Sequence, residues 1–144
     1  MNQEKLVGTW KLVSATYRRP NGETIDYLGA NPRGAVMYDA RGNMSIHLMR
    51  LDRPRFATDD RTSSTPAEAK AALDGYLGYF GTYTVNEEKQ TVTHHIQGAT
   101  FPNWVGVDQT RSFEIAGNTL TLRTPTLMIR GGDAKGELVW ERVG

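Results

Sequence analysis

A chain of 144 residues with 17 basic and 16 acidic side chains, a net charge of +1 and no cysteine is long enough for one domain with its own core and needs no covalent staples. The balanced charge gives no general pull toward nucleic acid or an anionic membrane surface, and the lack of thiols removes disulfide frameworks and thiolate chemistry. The opening Met1-Asn2-Gln3-Glu4-Lys5 has no basic-then-apolar leader pattern, and no run approaches the ~20 apolar residues of a spanning helix. The expectation is a cytoplasmic protein, residues 1–144 forming one domain, whose partner is neutral or locally charged and is neither nucleic acid nor membrane; a homodimer is compatible with the sequence.

Asn2 to Val7 can form a helical turn. A strand follows from about Thr9 to Arg19, and alternation places Trp10, Leu12, Ser14 and Thr16 on one face and Lys11, Val13, Ala15 and Tyr17 on the other. Lys11 prefers water, so the Trp10 face points inward. Pro20-Asn21-Gly22 is a turn, Glu23 to Tyr27 a short return, and Gly34 to Tyr38 with Asn43 to Met49 a hairpin around Asp39-Ala40-Arg41-Gly42. From Arg50 to Thr65 the composition is that of a long loop, in which Arg50, Arg53, Arg55 and Arg61 are interleaved with Asp52, Asp59 and Asp60 and read as a solvated, self-paired segment.

Thr65-Pro66-Ala67-Glu68 is a helix start, with Thr65 as N-cap, Pro66 at the first position and Glu68 completing a capping box. The spacing of Ala69, Ala72, Leu73, Tyr76, Leu77 and Phe80 predicts a helix to about Leu77 with one apolar face. Two-residue alternation then returns in Tyr79–Asn86 and Thr91–Gln97. An aromatic loop, Phe101 to Gly106, precedes strands at Gln109–Ile115 and Thr119–Thr124, and Pro125 ends the second of these. Arg130 to Gly136 reads as a flexible connection. The last strand, Leu138 to Val143, puts Leu138, Trp140 and Arg142 on one face.

Many short strands, regular turns and one helix predict an all-β fold: a closed antiparallel barrel of about eight strands, with the helix capping an opening. Trp10 belongs at the other end. First and last strands are natural neighbours when a sheet closes on itself.

No nucleophile elbow, phosphate loop or metal-ligand spacing is present. The candidates are polar residues on inward faces. His94 shares a face with Val92 and Ile96 and points in; His95 points out, so the pair is a poor metal site even with His47 brought in from another strand, and neither metal nor cofactor is expected. His94 is either a satisfied core histidine or a ligand contact. Arg111 shares the face of Phe113 and Ile115, where an unpaired charge is costly, so it needs a loop acid or the anionic or carbonyl end of a ligand. Tyr83 and Tyr38 could reach a central ligand or simply pack, Ser14 is polar company on the Trp10 face, and Trp104 lies in a loop suited to a lid.

The segments Gly8-Thr9-Trp10, Gly34 to Tyr38, Arg53-Pro54-Arg55-Phe56, Gly75 to Tyr83, Val92 to His95, Phe101 to Gly106 and Leu138 to Arg142 together resemble the bacterial and fungal lipocalin-like domain family, within the calycin group. That resemblance implies a lipocalin-like barrel with a cavity for a small, largely apolar molecule, and gives Arg142 the role of the arginine that covers the first-strand tryptophan. It does not choose between a carrier that holds its ligand with Tyr83, His94 and Arg111 and an enzyme of isomerase or cyclase type. In the second case His94 would move a proton and Arg111 would stabilise an enolate.

Overall fold

The computed structural model describes residues 2–144. Helix α1 (Asn2–Leu6) leads into β1 (Gly8–Arg18), followed by β2 (Thr24–Ile25), β3 (Arg33–Tyr38), β4 (Asn43–Met49), α2 (Pro66–Asp74), β5 (Tyr76–Asn86), β6 (Thr91–Ala99), a 3-10 turn at Pro102–Trp104, β7 (Asp108–Ala116), β8 (Thr119–Arg123), β9 (Leu127–Ile129) and β10 (Gly132–Arg142). Every pairing is antiparallel. The sequence of neighbours β1-β3-β4-β5-β6-β7-β8-β10 returns to β1, which closes an eight-stranded barrel; β2 and β9 are short additions on β1 and β10.

The barrel has one sealed end and one open end. The tight turns β3–β4, β5–β6 and β7–β8 gather with α1 and the chain's last residues at the sealed end, where Trp10 is fully buried. Trp10 Nε1 donates to Leu6 O at 2.9 Å, so the indole holds α1 across the floor. Trp10 is paired with Arg142 in the β1–β10 register, and the Arg142 guanidinium lies 4.2 Å from the indole centroid. Arg142 also donates from Nη1 to Val7 O at 2.8 Å and from Nη2 to Lys5 O. The expected structural stacking is present, with a backbone clamp added to it.

At the open end lie the connection that carries α2, the 3-10 turn, and the segment with β9. The Thr65 capping box forms: Glu68 N donates to Thr65 Oγ1 at 3.2 Å and Thr65 N to Glu68 Oε1 at 2.8 Å. The helix ends at Asp74 rather than near Leu77, because Gly75 caps it with its N–H on Ala71 O. Tyr76 and Leu77 already belong to β5, and Phe80, expected on the helix face, is 56 % exposed on the barrel exterior. The helix spans the opening loosely, with none of its residues buried.

Two further expectations change. Gly132–Ala134, read as flexible, pair with Leu127–Ile129, because backbone pairing there needs no alternation of side chains. In β1 the register slips between Leu12 and Ser14, a bulge that adds one residue and reverses the inside-outside phase beyond it. Ser14 is therefore exposed, and Tyr17, expected outside, is 3 % exposed within the core. Its ring lies where a side chain on Gly136 would stand, 2.5 Å from that position. In the long loop, Arg50 pairs with Asp52 at 2.9 Å as expected, whereas Arg53 leaves the loop to donate to Ala72 O and lie over the Tyr76 ring.

Candidate functional site

Inward positions on four strands bring an unusual polar set into the apolar lumen. His94 is fully buried on β6, and each ring nitrogen meets a phenol: Nε2 contacts Tyr38 Oη at 2.6 Å from the end of β3, and Nδ1 contacts Tyr79 Oη at 2.6 Å from β5. Burial first, then the charge of Arg111, hold His94 well below the ordinary imidazole range. Burial likewise pushes both phenols above the ordinary tyrosine value, Tyr38 well above it. All three groups are neutral at physiological pH.

A proton count follows from that neutrality. The three side chains carry two hydroxyl hydrogens and one imidazole hydrogen, and the two contacts between them consume two of the three. Whichever tautomer forms, one phenol accepts from the ring and keeps its own hydrogen for another acceptor. Tyr79 is the phenol nearer the open end: the Trp104 ring meets it edge-on at 6.1 Å, and the Arg111 guanidinium lies 5.9 Å from its centroid.

Arg111 on β7 is 5 % exposed. Its Nη1 donates to Gln109 Oε1 at 2.9 Å, two residues back on the same face of the strand. Among the described residues no carboxylate pairs with it, so the expected loop acid is not there. The sealed polar atoms without partners are Arg53 Nε and Trp140 Nε1. The other Arg111 nitrogens are not among them, and so face space that a water-sized molecule can enter.

The remaining candidates stand elsewhere. Tyr83 is inward but its hydroxyl is used at the sealed end, donating to Asp39 O at 2.7 Å, while its ring packs edge-on against Tyr38. His47 points out of the barrel, because Met44, Ile46 and Leu48 take the inward positions of β4; it is held by Ser45 Oγ at 3.0 Å and Tyr76 Oη at 2.7 Å. Ser14 is outside through the β1 bulge. His95 faces outward, paired with Asp108 at 2.9 Å. Among the described residues no three His, Asp or Glu side chains gather as a metal site.

A cavity of about 400 Å³ occupies the mouth. Lys70, Leu73 and Asp74 of α2 roof it, Tyr76 and Leu77 open β5 beneath, Phe101 and Trp104 form one wall, and Leu127, Met128 and Ile129 the other. Leu73, Phe101 and Met128 are 52 %, 42 % and 72 % exposed, so apolar surface collects at this rim. Trp104 reaches this rim from the 3-10 turn. The cavity stops short of His94 and Arg111, but aromatic contacts lead inward from it: Trp104 to Tyr79, and Tyr27, which also lines it, edge-on to Tyr17 at 5.0 Å. Sequence reasoning left Tyr17, Tyr79 and Gln109 out of the site. The alternation through Tyr83 and Arg111 marks Tyr79 and Gln109 as inward; for Tyr17 no local signal existed.

The lipocalin-like domain family matches residues 7–143. The 4'-hydroxy-3'-methoxypropiophenone carrier protein ppsC of Aspergillus oryzae is 32 % identical over 107 residues, covering 69 % of this chain and 96 % of that protein. Bovine odorant binding protein, solved with a selenium-containing odorant, superposes with a TM-score of 0.49 at 11 % identity, covering all of this chain and 74 % of that one. No helix among the described residues is long and apolar enough to cross a membrane.

Proposed function

The chain belongs to the lipocalin-like domain family, and from that premise we propose that it is a carrier that takes a small, largely apolar aromatic molecule into the mouth of its barrel and releases it unchanged. The observation that carries this reading is the 400 Å³ cavity walled by aromatic and aliphatic side chains, within the size range of small-molecule sites. The ppsC protein is named as the carrier of an aryl ketone, and an aryl ketone is the class of molecule that an aromatic wall and one recessed hydrogen-bond donor suit. The isomerase or cyclase alternative is weaker on geometry. A general base must come within hydrogen-bond reach of the proton it removes, and both nitrogens of His94 are occupied by phenols.

The test is calorimetric titration of 2-acetonaphthone into the protein and into Trp104→Ala. Loss of the indole wall should weaken binding about tenfold or more in protein that remains folded. Equal affinity in the two folded proteins would place the site elsewhere, and recovery of a chemically altered ligand would replace the carrier by a catalyst.

A further inference from the structure

Beneath the mouth cavity the lumen holds a permanent cation that the protein does not neutralise. Arg111 has one neutral acceptor, the Gln109 carbonyl oxygen, and no carboxylate partner among the described residues. Around it stand the Tyr79 ring and the Tyr38–His94–Tyr79 chain. Its charge also acts on Tyr17, Tyr38 and Tyr79, favouring the anionic form of each against the larger opposing effect of burial. The Tyr17 hydroxyl makes no hydrogen bond within the described protein, and it is not among the sealed unpartnered atoms. It too faces open space. Tyr17 and Tyr79 each touch an aromatic residue of the mouth cavity, Tyr27 and Trp104 respectively, while the Arg111 guanidinium lies 5.9 Å from the Tyr79 centroid and its charge reaches Tyr17.

We propose that Arg111, with the hydroxyls of Tyr17 and Tyr79, forms a recessed receptor for an ionised oxygen acid, a carboxylate or phenolate carried at the end of an apolar aromatic body. The inference rests on the carrier reading and specifies its ligand. A buried guanidinium without an anion is unfavourable, whereas hydrogen bonds from a charged donor to an anionic acceptor are about twice as strong as neutral ones. The guanidinium fork suits two-oxygen recognition. Tyr79 supplies the hydrogen left over from the proton count when His94 carries its hydrogen on Nδ1, and Tyr17 supplies one that has no other acceptor. The acid end lies inward and the aromatic body stays between Leu77, Trp104 and Ile129.

The experiment compares two probes of nearly equal shape, 2-naphthoate and 2-acetonaphthone, by calorimetry at pH 7. The acid should bind the wild-type protein at least tenfold more tightly than the ketone. In Arg111→Met the acid should weaken on the order of tenfold to a hundredfold while the ketone changes less than threefold; Arg111→Lys, which keeps the charge and loses the fork, should fall between. Lys70→Met and Arg130→Met, at the rim, should leave the preference unchanged. If both probes bind and the ketone binds as well as the acid, the anion receptor is wrong and the carrier stands. If the preference follows Lys70 or Arg130, the acid is held at the rim and the inference fails. If neither probe binds, the carrier reading falls and takes this inference with it. Should Arg111→Met not fold, the wild-type preference together with Arg111→Lys and the rim variants decides.

Discussion

Replacing His94 by leucine removes the centre of the Tyr38–His94–Tyr79 chain and leaves two phenol hydroxyls without their partner in a core where both tyrosines are 2 % exposed. An unsatisfied buried polar group costs about 1–3 kcal/mol, so two cost about 2–6 kcal/mol, offset by about 1–2 kcal/mol from the more favourable burial of leucine. A net loss of about 3 kcal/mol is expected in urea unfolding followed by tryptophan fluorescence, with the denaturant slope unchanged. The triple variant Tyr38→Phe/His94→Leu/Tyr79→Phe removes both hydroxyls as well, and should recover at least half of that loss despite carrying more substitutions. Such non-additivity is the signature of a polar chain satisfied as a unit. A loss below 1 kcal/mol for His94→Leu, or a triple variant less stable than the single one, would refute the reasoning.

Arg142→Ala should lower stability by about 2–4 kcal/mol, from roughly 1 kcal/mol of cation–π contact and two hydrogen bonds of about 0.5–1.5 kcal/mol each, with 2-acetonaphthone affinity unchanged; an affinity loss at full stability would reassign the residue. His94 has a folded pKa below its unfolded one, so it costs nothing above about pH 6.5 and removes stability as the pH falls below that value, at up to about 1.4 kcal/mol per pH unit. His94→Gln, which can bridge the two phenols without titrating, should flatten the stability profile between about pH 6.5 and pH 5, and parallel profiles for the two proteins would contradict the buried neutral state.

The features legible in the sequence are those fixed by residues near one another in the chain. Trp10 and Arg142 alternate with outward residues at the two ends of the chain, and closure of the sheet brings them together. The inward turn of His94 against the outward turn of His95 follows from alternation alone. The Thr65 capping box needs four consecutive residues. Its far end was legible too, since Gly75 is a natural stop, but the apolar spacing of Tyr76, Leu77 and Phe80 concealed it; those same residues serve equally well in a strand. The β1 bulge is of another kind. It arises where β1 meets Trp140 and Val139 of β10, no glycine or proline stands beside Val13 to announce it, and its consequence exchanges Ser14 for Tyr17 inside the barrel. His47, by contrast, is turned outward by the same local alternation that sorts His94 from His95, since Met44, Ile46 and Leu48 claim the lumen.

That exchange bears directly on what the lumen can hold. With Ser14 inside, the polar floor of the mouth would have a small hydroxyl and open volume; with Tyr17 inside, it has an aromatic ring beside Tyr27 and a phenol within the field of Arg111. The two ends of the barrel then divide their polar groups by use. At the sealed end most are consumed by backbone, Trp10 by Leu6 O, Tyr83 by Asp39 O and Arg142 by Val7 O and Lys5 O, and the exception is the Trp140 indole N–H, which is buried without a partner. Toward the open end the Tyr17 hydroxyl, most of the Arg111 fork and, when His94 carries its hydrogen on Nδ1, the Tyr79 hydroxyl hydrogen have no acceptor among the described residues. A core selected for stability alone would replace such an arginine with a hydrophobic side chain, since buried charges are often improved upon in that way. Retaining it makes the empty barrel less stable than it could be, and a ligand acid that neutralises it would recover that stability through its own binding, by an amount set by ligand concentration relative to Kd. On the proposed receptor, the unused donors near the mouth are half of an interaction whose other half arrives with the ligand.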